Sequence, residues 1–274
     1  MELCICAGLI LGICYAYSIT TNIEALQALR FSFDVAANVG NLPPQTGVYP
    51  DMLAPIIRNT PDGLRELVKV RCGMPSSSRT LYIAAEKRAK KLIEGHGRQI
   101  SPDEYEEMVR LEPDRGTHNV RNTDSPIGRW LRPEFCCIVP FTSFAEFSSA
   151  TGAGGKKQGN TWFAYDADRP LGWFAGIYAP QWTSVRKTSE GLITTDLFAF
   201  LTTEPNDVVA TANPDSMPVI LTTPDEIETW LTAPWEEARK LQRPSPAGTL
   251  RIVSLGNKED PPPPEPLPTE PSLF

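Results

Sequence analysis

From Tyr15 the chain alternates. Tyr15, Tyr17 and Ile19 fall on one face, and Ala16, Ser18 and Thr20 on the other. A period of two predicts a strand with one face buried, so a globular domain is expected to begin here. Thr21-Asn22-Ile23-Glu24 has the capping-box pattern and predicts a short helix through about Phe31. Asn41 to Pro61 carries five prolines and reads as an extended loop; Leu64–Val70 fits a short strand or a single turn. Leu81–Glu94 has helical periodicity, with Lys87, Arg88, Lys90 and Lys91 on its polar side. Ser101-Pro102-Asp103-Glu104 marks a second helix, with a serine cap and proline at the first position, running to about Leu111.

The middle of the chain changes character. Phe135–Val139, Ser143–Phe147, Thr161–Tyr165, Trp173–Tyr178, Leu192–Leu201 and Pro218–Leu221 are short and rich in aromatic or β-branched residues. Turn clusters at Thr151–Gly155 and Asp166–Pro170 separate them. Thr223-Pro224-Asp225-Glu226 and Pro234 begin further helices, and Leu250–Leu255 is a last strand. Many antiparallel-type strands with helices set between them argue for an α+β fold rather than a parallel βαβ sheet. No internal repeat is visible.

Composition narrows the reading. An apolar fraction of 41% over 274 residues suffices for a packed core. Residues 258–274 hold seven prolines, four acids and one lysine, and read as a disordered, polyproline-like tail. That segment holds −3 of the formal charge of −7. Overall charge therefore does not advertise a nucleic-acid partner, and a DNA site would have to be a local basic groove. Cys4, Cys6, Cys14, Cys72, Cys136 and Cys137 have no zinc-knuckle spacing, and His96 and His118 do not pair as ligands. No metal and no cofactor are expected. Scattered cysteines without a framework fit a reducing cytoplasm.

Leu3–Ile19 is uncharged and mostly apolar, which leaves three readings. A membrane span would be marginal in length. A signal peptide or lipoprotein signal would lack its basic flank, since no Lys or Arg precedes Arg30, and Ile13 stands where a small residue should precede the Cys. The third reading, preferred on that missing flank, divides the run into an extension (1–13) and the first strand. The domain is then 14–257, a monomer with no membrane role, followed by the tail 258–274.

Several separated blocks carry chemistry. The first is Cys14-Tyr15-Ala16-Tyr17-Ser18. Asn41-Leu42-Pro43-Pro44, Pro55-Ile56-Ile57-Arg58 and Gly73-Met74-Pro75 follow, then Asn119-Val120-Arg121-Asn122-Thr123. Cys137-Ile138-Val139-Pro140 with Ser143–Phe147, and Met217-Pro218-Val219-Ile220-Leu221, complete the set. In order and spacing these resemble the SOS-response-associated peptidase family, also described as abasic-site processing proteins. Gly152-Ala153-Gly154-Gly155-Lys156-Lys157 only mimics a phosphate loop; it lacks the required gap and the following Ser or Thr. The vicinal Cys136 and Cys137 should point to opposite faces of a strand, one buried and one nearer the surface.

The resemblance implies one α+β domain whose mainly antiparallel sheet curls toward a barrel and is flanked by short helices. It also implies a channel for single-stranded DNA that contains abasic sites. In that family a Cys is the first residue, and its amine and thiol trap the aldehyde of the damaged sugar as a thiazolidine. Cys14 matches that Cys, Glu146 the acid–base residue, and Asn119 the residue that holds the sugar. Arg121 would bind a flanking phosphate, with Arg58, Arg71 and Pro44 as weaker DNA contacts. Taken alone, Glu146 reads as a solvated strand carboxylate, Asn119 as a turn residue and Arg121 as half of a surface ion pair. The family's His before the Met-Pro block is Asn213 here, and Asn has no proton to exchange near neutral pH. Cys72 stands where a stacking Trp is common. Three functions follow: a crosslinking enzyme with self-removal of a leader, a single-stranded DNA binder that has lost turnover, or a membrane-tethered relative.

Overall fold

The alternation after Tyr15 forms strand β1 (Cys14–Ile19), with Tyr17 and Ile19 in the core. This is a computed structural model, and it describes residues 14–20, 33–40, 42–151 and 157–261. The extension 1–13, the capping-box helix after Thr21, the glycine–lysine loop 152–156 and the tail beyond 261 lie outside the described residues.

The fold is α+β and its sheet does curl into a barrel. The ring is made by β4 (Leu53–Asn59), β5 (Arg65–Cys72), β7 (Cys136–Phe141), β10 (Gly172–Val185) and β11 (Leu192–Thr203). Pairing runs β11-β10-β7-β4-β5, antiparallel throughout, and a parallel contact of β11 with β5 closes it, Leu197 opposite Arg71 and Phe198 opposite Cys72. Short strands extend the ring: β2 (Asp34–Val35) on β5, β6 (Asn119–Val120) and β12 (Met217–Pro218) on β11, and β13 (Ile220–Leu221) on β10. A second, antiparallel sheet has the order β14 (Arg251–Leu255), β9 (Lys157–Ala164), β8 (Ser143–Thr151), β1 and β3 (Gln45–Val48).

Aromatic residues join the two sheets. Tyr17 of β1 meets Phe174 and Phe200 of the barrel edge-on, and Phe144 of β8 meets Phe141 and Phe174 edge-on; within the barrel Phe141 and Phe174 stack with centroids 4.0 Å apart. A second apolar layer covers the other face of β7 and contains Ile138, Trp173, Leu201 and the helix α4 (Pro224–Thr232) with Trp230. The Trp230 indole N–H donates to the carbonyls of Cys137 and Gly176, so this helix is pinned to the barrel. Strand β7 is thus covered on both sides. Cys136 and Cys137 do point oppositely, but both are buried, one in each layer, which corrects the expectation that one would approach the surface.

The stretch Asn41–Pro61, expected as a loop, contains β3 and β4. Proline is tolerated there because β4 pairs with β7 only at Ile57 and Arg58, so the missing N–H of Pro55 falls where no β7 partner faces it. Leu64–Val70 resolves in favour of strand β5. Two helices, α1 (Ser78–His96) and α2 (Pro102–Arg110), form a hairpin, each capped by a serine as the sequence signals: Ser77 Oγ accepts from Thr80 N and Ser101 Oγ from Glu104 N. Short helices α3 (Asp207–Ala210) and α5 (Trp235–Ala238) complete the set.

The α1–α2 hairpin leaves and rejoins the barrel at one place. Met74 and Thr117 exchange two backbone hydrogen bonds of 2.8 and 2.7 Å. Beside them lies the buried Arg186 guanidinium, which donates to the carbonyls of Cys72, Gly73 and Arg115 and pairs with Asp51 at 3.0 Å. Gly73 has φ +121, and a Cβ there would stand 2.6 Å from Arg186 Nη2, so this position of the Gly73-Met74-Pro75 block requires glycine.

Residues 257–260 run across the second sheet, past the tail boundary expected at 258. Asn257 and Lys258 offer carbonyls to Trp162, Asn160 and Tyr49. Asp260 is 2% exposed; it pairs with Arg169 at 2.9 Å and accepts from Ser143 at 2.6 Å and Ser18 at 3.1 Å. Among the described residues no helix is long and apolar enough to cross a membrane, and no group of three or more His, Cys, Asp or Glu could hold a metal.

Candidate functional site

Strands β1 and β8 pair antiparallel with Ser18 opposite Ser143, Tyr17 opposite Phe144 and Ala16 opposite Ala145. A register shift follows, and Cys14 then stands opposite Glu146. This irregularity sets the first residue of the described domain across from the one carboxylate of the Ser143–Phe147 block. Glu146 is fully buried rather than solvated. Burying a carboxylate demands hydrogen-bond partners, and Asn213 supplies one: its Nδ2 donates to Glu146 Oε2 at 2.9 Å.

Asn213 is itself fixed. It is 5% exposed and lies in the loop between α3 and β12. Its N–H donates to Val209 O, its Oδ1 accepts from Asp215 N at 3.0 Å, and its Nδ2 also reaches Ser216 Oγ at 3.3 Å. The Met217 block anchors the far side of that loop by pairing Met217 with Thr203 and Pro218 with Thr202. Residues 14, 146 and 213 are thus brought together from three distant parts of the chain.

Asn119 sits on β6, opposite Phe200 of β11. Its neighbour His118 shares a small void with Ala16, Tyr17, Cys72 and Phe200, which brings the residue before β6 close to β1. His118 Nδ1 is buried with no hydrogen-bond partner among the described residues. Burial, helped by the Arg186 cation, pulls its pKa down to about 4, and the imidazole is neutral at physiological pH. Burial likewise pushes the Cys72 thiol up to about 12, so this residue supplies neither a stacking surface nor a thiolate.

Asn119 and Arg121 line a cleft of about 680 Å³ between the start of α1, the segment 117–130 and Trp182 of β10. Arg121 is exposed and makes a long ion pair of 3.4 Å with Glu204. The other two arginines read as DNA contacts are engaged elsewhere. Arg58 pairs with Glu66 at 2.8 Å and Asp196 at 2.7 Å, and lies over the Tyr178 ring. Arg71 pairs with Asp51 and Glu190 at 2.7 and 3.0 Å. In both, burial opposes the charge, but the carboxylates outweigh it and raise the guanidinium pKa. Pro44 is exposed. The sequence reading missed Arg79, Arg129 and Trp182 in the cleft, because they lie on three elements scattered over a hundred residues.

No curated protein sequence matches the chain. Among solved structures, a protein from Bacteroides thetaiotaomicron is similar with a TM-score of 0.57 and 21% identity, covering 87% of this chain and 90% of that one. A protein from Bordetella bronchiseptica gives 0.55 and 22%, covering 87% and 97%. A phage-related protein from the same organism gives 0.53 and 15%, covering 87% and 92%. At such identities the likeness speaks to the fold alone. The family match is more specific: residues 125–258, which include Glu146, Asn213 and strands β7 to β14, match the SOS response associated peptidase (SRAP) family, and that part of the chain belongs to it.

Proposed function

We propose that this chain captures abasic sites in single-stranded DNA through a covalent bond to Cys14, in a form of the protein that begins at that residue. The observation that carries the reading is the β1–β8 register, with Cys14 opposite a buried Glu146 that Asn213 holds at 2.9 Å. The α-amine of a terminal Cys14 adds to the open-chain aldehyde carbon. The resulting hydroxyl leaves as water, which gives a Schiff base. The thiol sulfur then adds to the imine carbon while its proton ends on the nitrogen, and the thiazolidine ring closes. Glu146 takes the proton released on amine addition and returns it to the departing hydroxyl. Asn119 and Arg121, on the rim of the cleft, hold the sugar and a neighbouring phosphate. The family's peptidase designation adds a first step to this reading, self-cleavage after Ile13.

Denaturing gels with an oligonucleotide bearing one abasic site test this reading. Protein starting at Cys14 is expected to give a heat-stable shifted band, absent in Cys14→Ser and formed at least about 100-fold more slowly by Glu146→Gln. Crosslinking by protein whose intact mass retains residues 1–13 would refute the requirement for a free Cys14 amine.

A second reading rests on Asn213. Its amide is fixed by Glu146, Ser216 and the Asp215 N–H, and it has no proton to exchange. On this reading the protein binds single-stranded DNA and has lost turnover. Binding that persists without any crosslink, in both the native protein and Asn213→His, would favour it.

A further inference from the structure

A second cavity, of about 430 Å³, opens between the β4–β5 turn, the turn Pro133–Phe135 and strands β10 and β11. None of its lining residues belongs to the Cys14 site or to the cleft beside Asn119. A bulge shapes it. Ala179 faces Leu197 and Trp182 faces Thr195, so Pro180 and Gln181 stand against Asp196 alone. Gln181 takes a left-handed φ of 47°, and Asp196 fixes it by accepting from its backbone N–H at 2.8 Å and its Nε2 at 3.0 Å. Trp182, the next residue, lines the cleft that holds Arg79, Arg121 and Arg129 and no acid. One bulge therefore borders two cavities of opposite charge.

Three carboxylates line the second cavity, Glu66, Glu134 and Asp196, against the single guanidinium of Arg58. Arg58 is committed to Glu66 Oε1 at 2.8 Å and Asp196 Oδ2 at 2.7 Å. Its charge offsets one carboxylate and leaves two uncompensated. Among the described residues Glu66 Oε2 accepts no hydrogen bond, and Glu134, which is exposed, has no ion-pair partner. The acids do not converge, since no group of three of them could hold a metal ion. The rest of the wall includes Phe135, Pro61 and Pro180. A cleft lined by one sign of charge concentrates the opposite ion. Separated oxygens beside apolar surface favour a cation whose charges are spaced along a hydrocarbon stem over a compact, strongly hydrated one.

We propose that this cavity binds a linear aliphatic amine of two or more charges, with ammonium groups on Glu66 and Glu134 and the methylene stem against Phe135 and Pro180. The volume is within the range of small-molecule sites. Arg58, which the sequence suggested as a DNA contact, serves here to hold Glu66 and Asp196 in place. The site requires neither the crosslink nor DNA.

Isothermal titration calorimetry of the full chain with spermidine tests it. One saturable site per chain is expected. Glu134→Gln, at an exposed and unpaired position, is expected to weaken it about 3-fold. Glu106→Gln, on the exposed face of α2, makes the same charge change away from the cavity and is expected to leave affinity unaltered. Pro61→Lys sets a competing cation at the mouth and is expected to abolish the binding heat, with circular dichroism checking that the variant is folded. Magnesium chloride at equal charge concentration is expected to displace spermidine poorly. Absence of saturable binding would overturn the site, as would equal losses for Glu134→Gln and Glu106→Gln or native affinity in folded Pro61→Lys. Displacement by magnesium at equal charge would show a diffuse counter-ion effect and overturn the assignment to an aliphatic amine.

Discussion

Asn213 is where the chemistry of this chain is most exposed to a single substitution. An imidazole placed next to Glu146 could give and take a proton, which the amide cannot. Asn213→His is therefore expected to accelerate crosslinking by about 10-fold or more while DNA affinity stays the same, measured by single-turnover gels and by anisotropy. His118 offers a different experiment. Its pKa of about 4 in the fold lies below the ordinary 6.5, so between those values the unfolded chain takes up a proton that the folded one refuses. Stability contributed by keeping this imidazole neutral is full above pH 6.5 and is lost as pH falls toward 4, by on the order of 3 kcal/mol. His118→Leu should flatten the fall of urea midpoint with pH over that window. Glu146 shows the limit of sequence reading at this scale. A strand glutamate is normally solvated, and only the register with β1 and the amide of Asn213 reveal why this one is buried. Arg79 did carry a faint signal, since a cation in the first turn opposes the helix dipole and asks for another reason to be there.

Among the elements, the helices were the easiest to read. Ser101 and Thr223 cap them through local hydrogen bonds that depend on residues three apart, and such bonds leave a mark in sequence. Strands β3 and β4 left a weaker one, because what makes them strands is pairing with β1, β5 and β7, all remote along the chain. The burial of both Cys136 and Cys137 was hidden for the same reason: alternation describes the two faces of a strand and says nothing about whether each is covered. The segment 257–260 is the element-level surprise. Its proline-flanked, acidic composition reads as solvated, yet Asp260 is the counter-charge of a buried Arg169. Removing it leaves that cation uncompensated, so Asp260→Ala is expected to cost about 3–5 kcal/mol in urea denaturation. Asp260 also bonds to Ser18 on β1 and Ser143 on β8, so the same variant should slow crosslinking under conditions where it remains folded.

For the whole molecule, net charge and local charge point in opposite directions. At −7 the protein as a whole repels a polyanion, and binding must be concentrated where arginines gather without acids. With three cleft arginines in contact with phosphates, the logarithm of affinity for single-stranded DNA should fall with the logarithm of salt at a slope of about −2. A slope near zero would show that the strand does not lie on these residues. The barrel closure also acts at this scale. The parallel contact of β5 with β11 leaves the ring without open edges, so the loop that carries Asn213 and the short strand that carries Asn119 lie against a continuous wall.

The contact between Ser18 and Asp260 spans 242 positions of sequence. During synthesis β1 is made 242 positions before the carboxylate that fastens it. A chain cut short before Asp260 would therefore lack the tie that joins β1 and β8 at Ser18 and Ser143.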